Sequence, residues 1–431
     1  MILLAAASGP ASAQTLTILH SFGGGNSDGS YPQGSLTLSG STLYGMTSGG
    51  GANGDGTVFS IPVSGGTLTT LLDFNGPNGA YPTGSLILSG STLYGMTGGG
   101  GNGGYGTIFS EPVTGGTPTT LFSFDYSSGS QPFGSLILSG STLYGTTHQG
   151  GLYGYGTIFS EPVTGGTPTV LCSFSGSGQG PYGSLILSGS TLYGMTEGGG
   201  TNGTYGTIFS EPVTGGTPTT LFSFPLNGAA GADPHGSLIL SGSTLYGMTS
   251  LNGANGSGTI FSEPVTGGTP TTLFSFSANG VNGAEPAGSL ILSGSTLYGM
   301  TEFGGANTDG TIFAESVAGG TPTTLVSFTG DDGSYPGAAP MGDLTLSGST
   351  LYGMTQYGGA NGDGTVFALT LPTPEPSTFA LLAAGAISLV GYGWRRRRVA
   401  KRTAQPEPQD DSPATLAFPS QSSHHSARRA A

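Results

Sequence analysis

Short apolar runs alternate with glycine-, serine- and proline-rich breaks along most of this chain. Between residues 84 and 124 there are four such runs, Leu86–Leu88, Leu93–Met96, Thr107–Phe109 and Thr120–Phe124. Each is rich in β-branched or aromatic residues and bounded by turn formers, a pattern that predicts strands. The Leu-Tyr-Gly heart of the unit begins at Leu43, Leu93, Leu143, Leu192, Leu245, Leu297 and Leu351, so seven copies follow one another at spacings of 49 to 54 residues. A period near fifty with four strands per period predicts an all-β chain folded as a seven-bladed β-propeller of four-stranded blades.

The ends of the repeat region are offset. Residues 16–22, LTILHSF, match the fourth run of the unit, whereas the seventh copy supplies runs one to three and stops near Phe367. An N-terminal strand that completes the last blade closes the ring and removes two exposed sheet edges. Loop lengths then single out one face. The link between runs one and two is Ser-Gly-Ser-Thr in all seven copies, and the distance from run three to run four is constant. The link from run four to the next blade varies from 8 residues (Ser175–Tyr182) to 13 (Thr329–Met341), and the link between runs two and three is 8 or 9 residues long. In an up-and-down blade both variable links emerge on the same face, where loops on a fixed scaffold carry recognition.

Composition adds a charge constraint. Of 431 residues 85 are glycine and only 7% are charged. All eight Lys and Arg lie beyond residue 394, while 18 of the 22 acids lie within residues 14–373. Such a surface repels phosphate backbones, which argues against nucleic acid as a partner of the repeats, and it attracts cations. The single cysteine, Cys172, occupies the column of Phe122 and Phe222 and reads as a small packed hydrophobe.

Outside the repeats, residues 1–13 read as the end of a secretory signal, with Ala11-Ser12-Ala13 as its small-residue cleavage site and the basic start of the signal upstream of Met1. Residues 14–373 are the propeller. Residues 374–402 hold the triplet Pro374, Glu375 and Pro376, an apolar helix predicted over 379–394, and the cluster Arg395, Arg396, Arg397 and Arg398; residues 403–431 are a polar tail that reads as disordered. Sixteen helical residues span about 24 Å against a hydrocarbon core of ~30 Å, and the arginines would hold the far end in the cytoplasm. This stretch resembles the PEP-CTERM sorting signal, which implies export to the envelope or surface of a Gram-negative bacterium. It also implies a membrane-held intermediate and an exosortase-type processing enzyme as partner. The repeats, Leu-Tyr-Gly-Met-Thr followed by a Gly-rich loop and Gly-Thr-Val/Ile-Phe, resemble the GloVer tandem repeat of choice-of-anchor surface proteins. That family implies an exported, anchored protein and brings no catalytic residues. The plan is also similar to kelch propellers in its period and in the Gly pair after strand two.

The candidate chemistry is sparse. The recurrent Tyr and Met, from Tyr44 and Met46 to Tyr352 and Met354, read as packing between blades, and the Gly between them as room for a neighbouring aromatic. Asn53 and Asp55, Asn307 and Asp309, and Asn361 and Asp363 occupy matching loops of blades one, six and seven. Their alternating oxygens suit Ca²⁺, and the same dipeptides form ordinary turns. At the Asp position blades two to four carry Tyr105, Tyr155 and Tyr205, which could stack on sugar rings or cover the loop backbone. Glu111, Glu161, Glu211, Glu263 and Glu315 recur one per blade, too far apart to pair for glycoside hydrolysis, and read as a solvated ring. His20, His148 and His235 show no ligand spacing. These features predict a non-catalytic binding or structural module that meets extracellular polysaccharide or surface proteins. The rival expectations are a polysaccharide-acting enzyme, a Ca²⁺-dependent adhesion module and a plain spacer.

Overall fold

Twenty-eight short strands form where the apolar runs fall, with glycines and prolines setting their ends. The computed structural model describes residues 14–25, 28–201, 205–226, 228–278 and 280–372, together with Tyr392 and Trp394. β1 (Thr15–Ser21) comes first and stands apart in sequence from its sheet. β2 (Thr37–Ser39), β3 (Thr42–Thr47), β4 (Thr57–Pro62) and β5 (Thr69–Asp73) form one antiparallel four-stranded sheet in that order. Five further sheets repeat it. The seventh contains β26 (Thr345–Ser347), β27 (Thr350–Thr355) and β28 (Thr365–Thr370), and β1 pairs antiparallel with β28 from Thr15 opposite Thr370 to Ser21 opposite Thr365. The expected seven-bladed propeller and its closure by the N-terminal strand are both present.

Blade packing follows from a few recurring side chains. A phenylalanine closing the fourth strand of each blade meets the third-strand phenylalanine of the next, edge to face or tilted. The pairs run from Phe22 with Phe59 at 5.4 Å and Phe74 with Phe109 at 5.1 Å to Phe328 with Phe367 at 5.6 Å. Each such pair adds ~0.5–1.5 kcal/mol beyond its buried area. Tyr44 and Met46 of blade one pack in one apolar cluster with Leu86, Leu93 and Phe109 of blade two, as expected of inter-blade residues. The intervening Gly45 is required, because a Cβ there would stand 2.5 Å from the Phe59 ring. Paired threonines such as Thr47 and Thr57, 2.9 Å apart and buried, tie strands two and three. Cys172 packs as a small hydrophobe, and burial, reinforced by the charge of Glu211, pushes its thiol up to about 12.

The constant face is built from blade contacts as well as turns. Gly216 in the turn between strands three and four donates its N–H to Leu171 of the preceding blade at 3.1 Å, so lengthening that turn would break the interface.

One expectation is overturned. Glu111, Glu161, Glu211, Glu263 and Glu315 do not form a solvated ring; they are buried, and both carboxylate oxygens of Glu111, Glu161 and Glu211 lack a hydrogen-bond partner among the described residues. The strand register explains it. Glu111 sits opposite Leu93 and Glu161 opposite Leu143, so each shares the core-facing side of its sheet, in the column filled by Ile61 and Leu369 in blades one and seven. Burial pushes Glu111, Glu161, Glu211 and Glu263 up to about 7 and raises Glu315.

Residues 373–431 form a separate unit, of which Tyr392 and Trp394 are described, both in helical backbone. The Pro374–Pro376 triplet, the rest of the 379–394 segment, the arginine cluster, the polar tail and the proposed signal at 1–13 lie outside the described residues. Among the described residues no helix is long and apolar enough to cross a membrane.

Candidate functional site at the channel mouth

Six blades enter the ring through the sequence x-Pro-x-Gly-Ser and the seventh through Ala-Pro-Met-Gly-Asp, and these segments line the central channel. The Gly is dictated by close approach. A Cβ on Gly34 would stand 2.1 Å from the Gly84 carbonyl oxygen, and the same clash recurs around the ring until Gly342 meets Gly34. The next residue closes a circle of hydrogen bonds. The Ser35 N–H donates to Ser85 Oγ at 2.7 Å, Ser85 to Ser135, and so on to Ser289, which donates to Asp343 Oδ1 at 2.6 Å; the Asp343 N–H returns to Ser35 Oγ at 2.7 Å. The cavity inside is ≈ 70 Å³, far below the ~300–1,000 Å³ of a small-molecule pocket. The candidate site is therefore the mouth of the channel and not its interior.

Three columns of side chains surround that mouth. The first is the residue before the proline: Tyr31, Tyr81, Gln131, Gly180, Asp233, Glu285 and Ala339. All have left-handed backbone, with φ of 50° to 62°, a conformation that non-glycine residues seldom adopt and that a following proline disfavours further. Inter-blade bonds hold it, as where the Asp233 N–H donates to the Tyr205 carbonyl at 2.8 Å. The second column follows the proline: Gln33, Thr83, Phe133, Tyr182, His235, Ala287 and Met341. The third follows the strand-two threonine: Ser48, Gly98, His148, Glu197, Ser250, Glu302 and Gln356. Its backbone is tied to the first column, with Glu197 N–H donating to the Gly180 carbonyl at 3.0 Å and Glu302 to Glu285 at 3.1 Å. The two variable links thus share one face, as expected.

Blades three to six contribute a charged and aromatic sector. Phe133 and Tyr182 rings lie 5.1 Å apart, and Tyr182 stacks on His235 at 5.0 Å. His148 Nε2 lies 3.0 Å from Glu197 Oε2, and His235 Nε2 lies 3.4 Å from Asp233 Oδ1. Burial alone would depress the His235 imidazole, but the hydrogen bond and charge of Asp233, with the charges of Glu197 and Glu302, outweigh it and raise its pKa. Burial, then Glu197 and Glu302, raises the Tyr182 phenol. Burial, then Glu285, raises Glu302 against the opposing pull of His235. Beside this sector a groove of ≈ 350 Å³ is lined by His148, Gln149, Tyr155, Gln179 and Glu197.

Of the residues singled out from sequence, Tyr155 therefore borders the mouth. Tyr105 is exposed and edges on Tyr126 at 5.9 Å, and Tyr205 is exposed. The Asn/Asp loops are not brought together: each leans on an outer strand, Asn53 Nδ2 donating to the Phe74 carbonyl at 2.8 Å, Asn307 to Phe328 and Asn361 to Phe22, both at 3.0 Å. Asp55 stands beside Gly76, Asp309 beside Gly330 and Asp363 beside Gly24. Two of the histidines that look scattered in the sequence stand at the mouth, His148 in the third column and His235 in the second. Aligning the seven copies residue by residue would have exposed those columns as the most chemically varied positions of a nearly uniform repeat.

A closed seven-bladed ring of four-stranded blades with an asymmetric, polar mouth places the chain among the β-propellers. The chain matches the model of the Gloeobacter/Verrucomicrobia repeat over residues 9–209 and 192–388, and it belongs to that repeat family. No curated protein matches it. Among solved structures it is similar to an oligogalacturonate lyase from Vibrio parahaemolyticus, with a TM-score of 0.53 and 11% identity, covering 83% of this chain and 93% of that one. It is also similar to TolB from Acinetobacter baumannii, with a TM-score of 0.38, 13% identity and 79% coverage of both chains. A nidogen/laminin complex gives a TM-score of 0.41 and 16% identity, covering 66% of this chain and 90% of that chain. At such identities the likeness speaks to the fold alone.

Proposed function

We propose that this protein is an exported, surface-anchored propeller that binds extracellular polysaccharide or surface protein through its channel mouth and catalyses no reaction. One observation carries this reading: the blades repeat almost unchanged in their core, while three columns at the mouth differ from blade to blade in size, charge and aromaticity. A spacer has no need of side chains held in left-handed backbone around one opening, and such strain clusters at functional sites. The groove beside Tyr155 offers an aromatic face with amide, imidazole and carboxylate partners, the mixture that sugars use. The signal-like residues 1–13 and the Pro374–Arg398 pattern support export, a membrane-held intermediate in a Gram-negative envelope and exosortase-type processing.

A glycan array probed with the purified full chain, with and without Ca²⁺, tests the recognition reading. Binding to a defined class of polysaccharide supports it, and dependence on Ca²⁺ would bring the loops of Asp55, Asp309 and Asp363 into the site. Absence of binding to any glycan or surface protein contradicts it. The shifted pKa values of His235, Glu302 and Tyr182 favour a second reading, a polysaccharide-acting enzyme; new reducing ends in array-positive polysaccharide would establish it.

A further inference from the structure

The channel mouth also holds a donor set that sugar recognition does not require. One donor atom each of Glu197, Asp233 and His235 lie within 4.8 Å of one another, and no other such trio of His, Cys, Asp or Glu exists among the described residues. Donors sharing one ion at bonds of ~2 Å stand within about 4 Å of each other, so small side-chain rotations suffice. The backbone beneath them is fixed. Asp233 and His235 flank Pro234 on the link into blade five, and the Asp233 N–H is bonded to Tyr205 of the neighbouring blade. Glu197 directly follows the second strand of blade four, its own N–H bonded to Gly180.

Their mutual bonding is incomplete as it stands. His235 reaches Asp233 only at 3.4 Å, the long limit of a hydrogen bond. Glu197 is held by His148 Nε2, and the buried Nδ1 of that ring has no hydrogen-bond partner among the described residues. Glu285 and Glu302 add negative charge from blade six, and no Lys or Arg occurs anywhere in residues 14–372 to balance it.

We propose that Glu197, Asp233 and His235 form a divalent metal site at the channel mouth, with His148 as the outer partner that orients Glu197. One imidazole and two carboxylates suit a borderline cation of the zinc–manganese class better than Ca²⁺, which takes oxygen donors. Three protein donors leave coordination positions open toward the mouth, where a hydroxyl or carboxylate of a bound polysaccharide would complete the shell. The inference rests on the recognition reading in placing the site at the same mouth, and it specifies the chemistry of that recognition.

Calorimetric titration of chelator-stripped full chain with ZnCl₂, MnCl₂ and CaCl₂ tests it. The chain carries His424→Ala and His425→Ala, so that the tail contributes no imidazole. One site per chain is expected, tighter for Zn²⁺ or Mn²⁺ than for Ca²⁺, and lost in Asp233→Asn, His235→Gln and, from a different blade, Glu197→Gln. Asparagine tolerates left-handed backbone, so Asp233→Asn should keep its metal-free melting temperature and report binding alone. Absence of stoichiometric Zn²⁺ or Mn²⁺ uptake, or uptake unchanged in all three variants, overturns the site. The titration uses metal alone, so its failure leaves the glycan result standing, and an array without signal leaves a metal result standing.

Discussion

At the residue scale the buried glutamates have the clearest consequence. Their ordinary carboxyl pKa near 4.5 rises to about 7 in Glu111, Glu161, Glu211 and Glu263 because burial penalises the charged form. The folded state therefore holds protons that the unfolded chain has released between those values. Stability from these groups is fully present below about pH 4.5, falls as pH rises, and is lost above about 7. The melting temperature should be higher at pH 5 than at pH 8, measured by calorimetry. Relief of general acidic repulsion as surface carboxylates protonate would give the same trend, so Glu211→Leu is the control: it copies Leu369, should raise the melting temperature at pH 8 and should flatten the pH dependence. A lower melting temperature for Glu211→Leu at pH 8 would contradict the burial account. The Gly ring makes the opposite case. A Cβ on Gly134 would stand 2.7 Å from the Gly183 carbonyl oxygen, so Gly134→Ala should destabilise by ~1–3 kcal/mol in urea unfolding.

At the element scale β1 is the piece on which closure depends. It supplies the fourth strand of the last blade and Phe22, which is fully buried and meets Phe59 of blade one. Removing residues 14–22 exposes the edge of β28 and opens one of the blade interfaces, and aggregation by size-exclusion chromatography is the expected result. Monomeric behaviour unchanged by the deletion would rule out closure by this strand. The milder Phe22→Ala should cost ~3–5 kcal/mol in urea unfolding. This architecture is legible in the chain itself, because Leu-Tyr-Gly recurs at one period and LTILHSF matches a fourth strand missing from the last copy. The buried glutamates were readable too, from the shared column of Ile61 and Leu369, but a lone Glu within TIFSEP resembles a solvent-facing position until register puts it opposite Leu93. The mouth is a different matter. Glu197 lies 36 residues before Asp233 in the numbering, and only the curvature of the ring brings their carboxylates together.

At the scale of the whole molecule, a uniform ring carries one varied opening, which the proposed export would present outside the cell. If export ends in processing near Pro374–Pro376, mass spectrometry of the mature surface form should find no peptide from Arg395 onward. Recovery of the intact arginine cluster on that form would leave a simple membrane anchor instead. The central claim, that recognition resides at the mouth, is tested most directly by comparing three full-length proteins on one glycan array. These are the wild type, a mouth variant carrying His148→Ala, Tyr155→Ala and Tyr182→Ala, and a control carrying Thr114→Ala and Thr217→Ala in the turns of the constant face. The account predicts equal signals for wild type and control and loss of signal in a mouth variant that still unfolds cooperatively; a mouth variant that folds and binds like the wild type would contradict it.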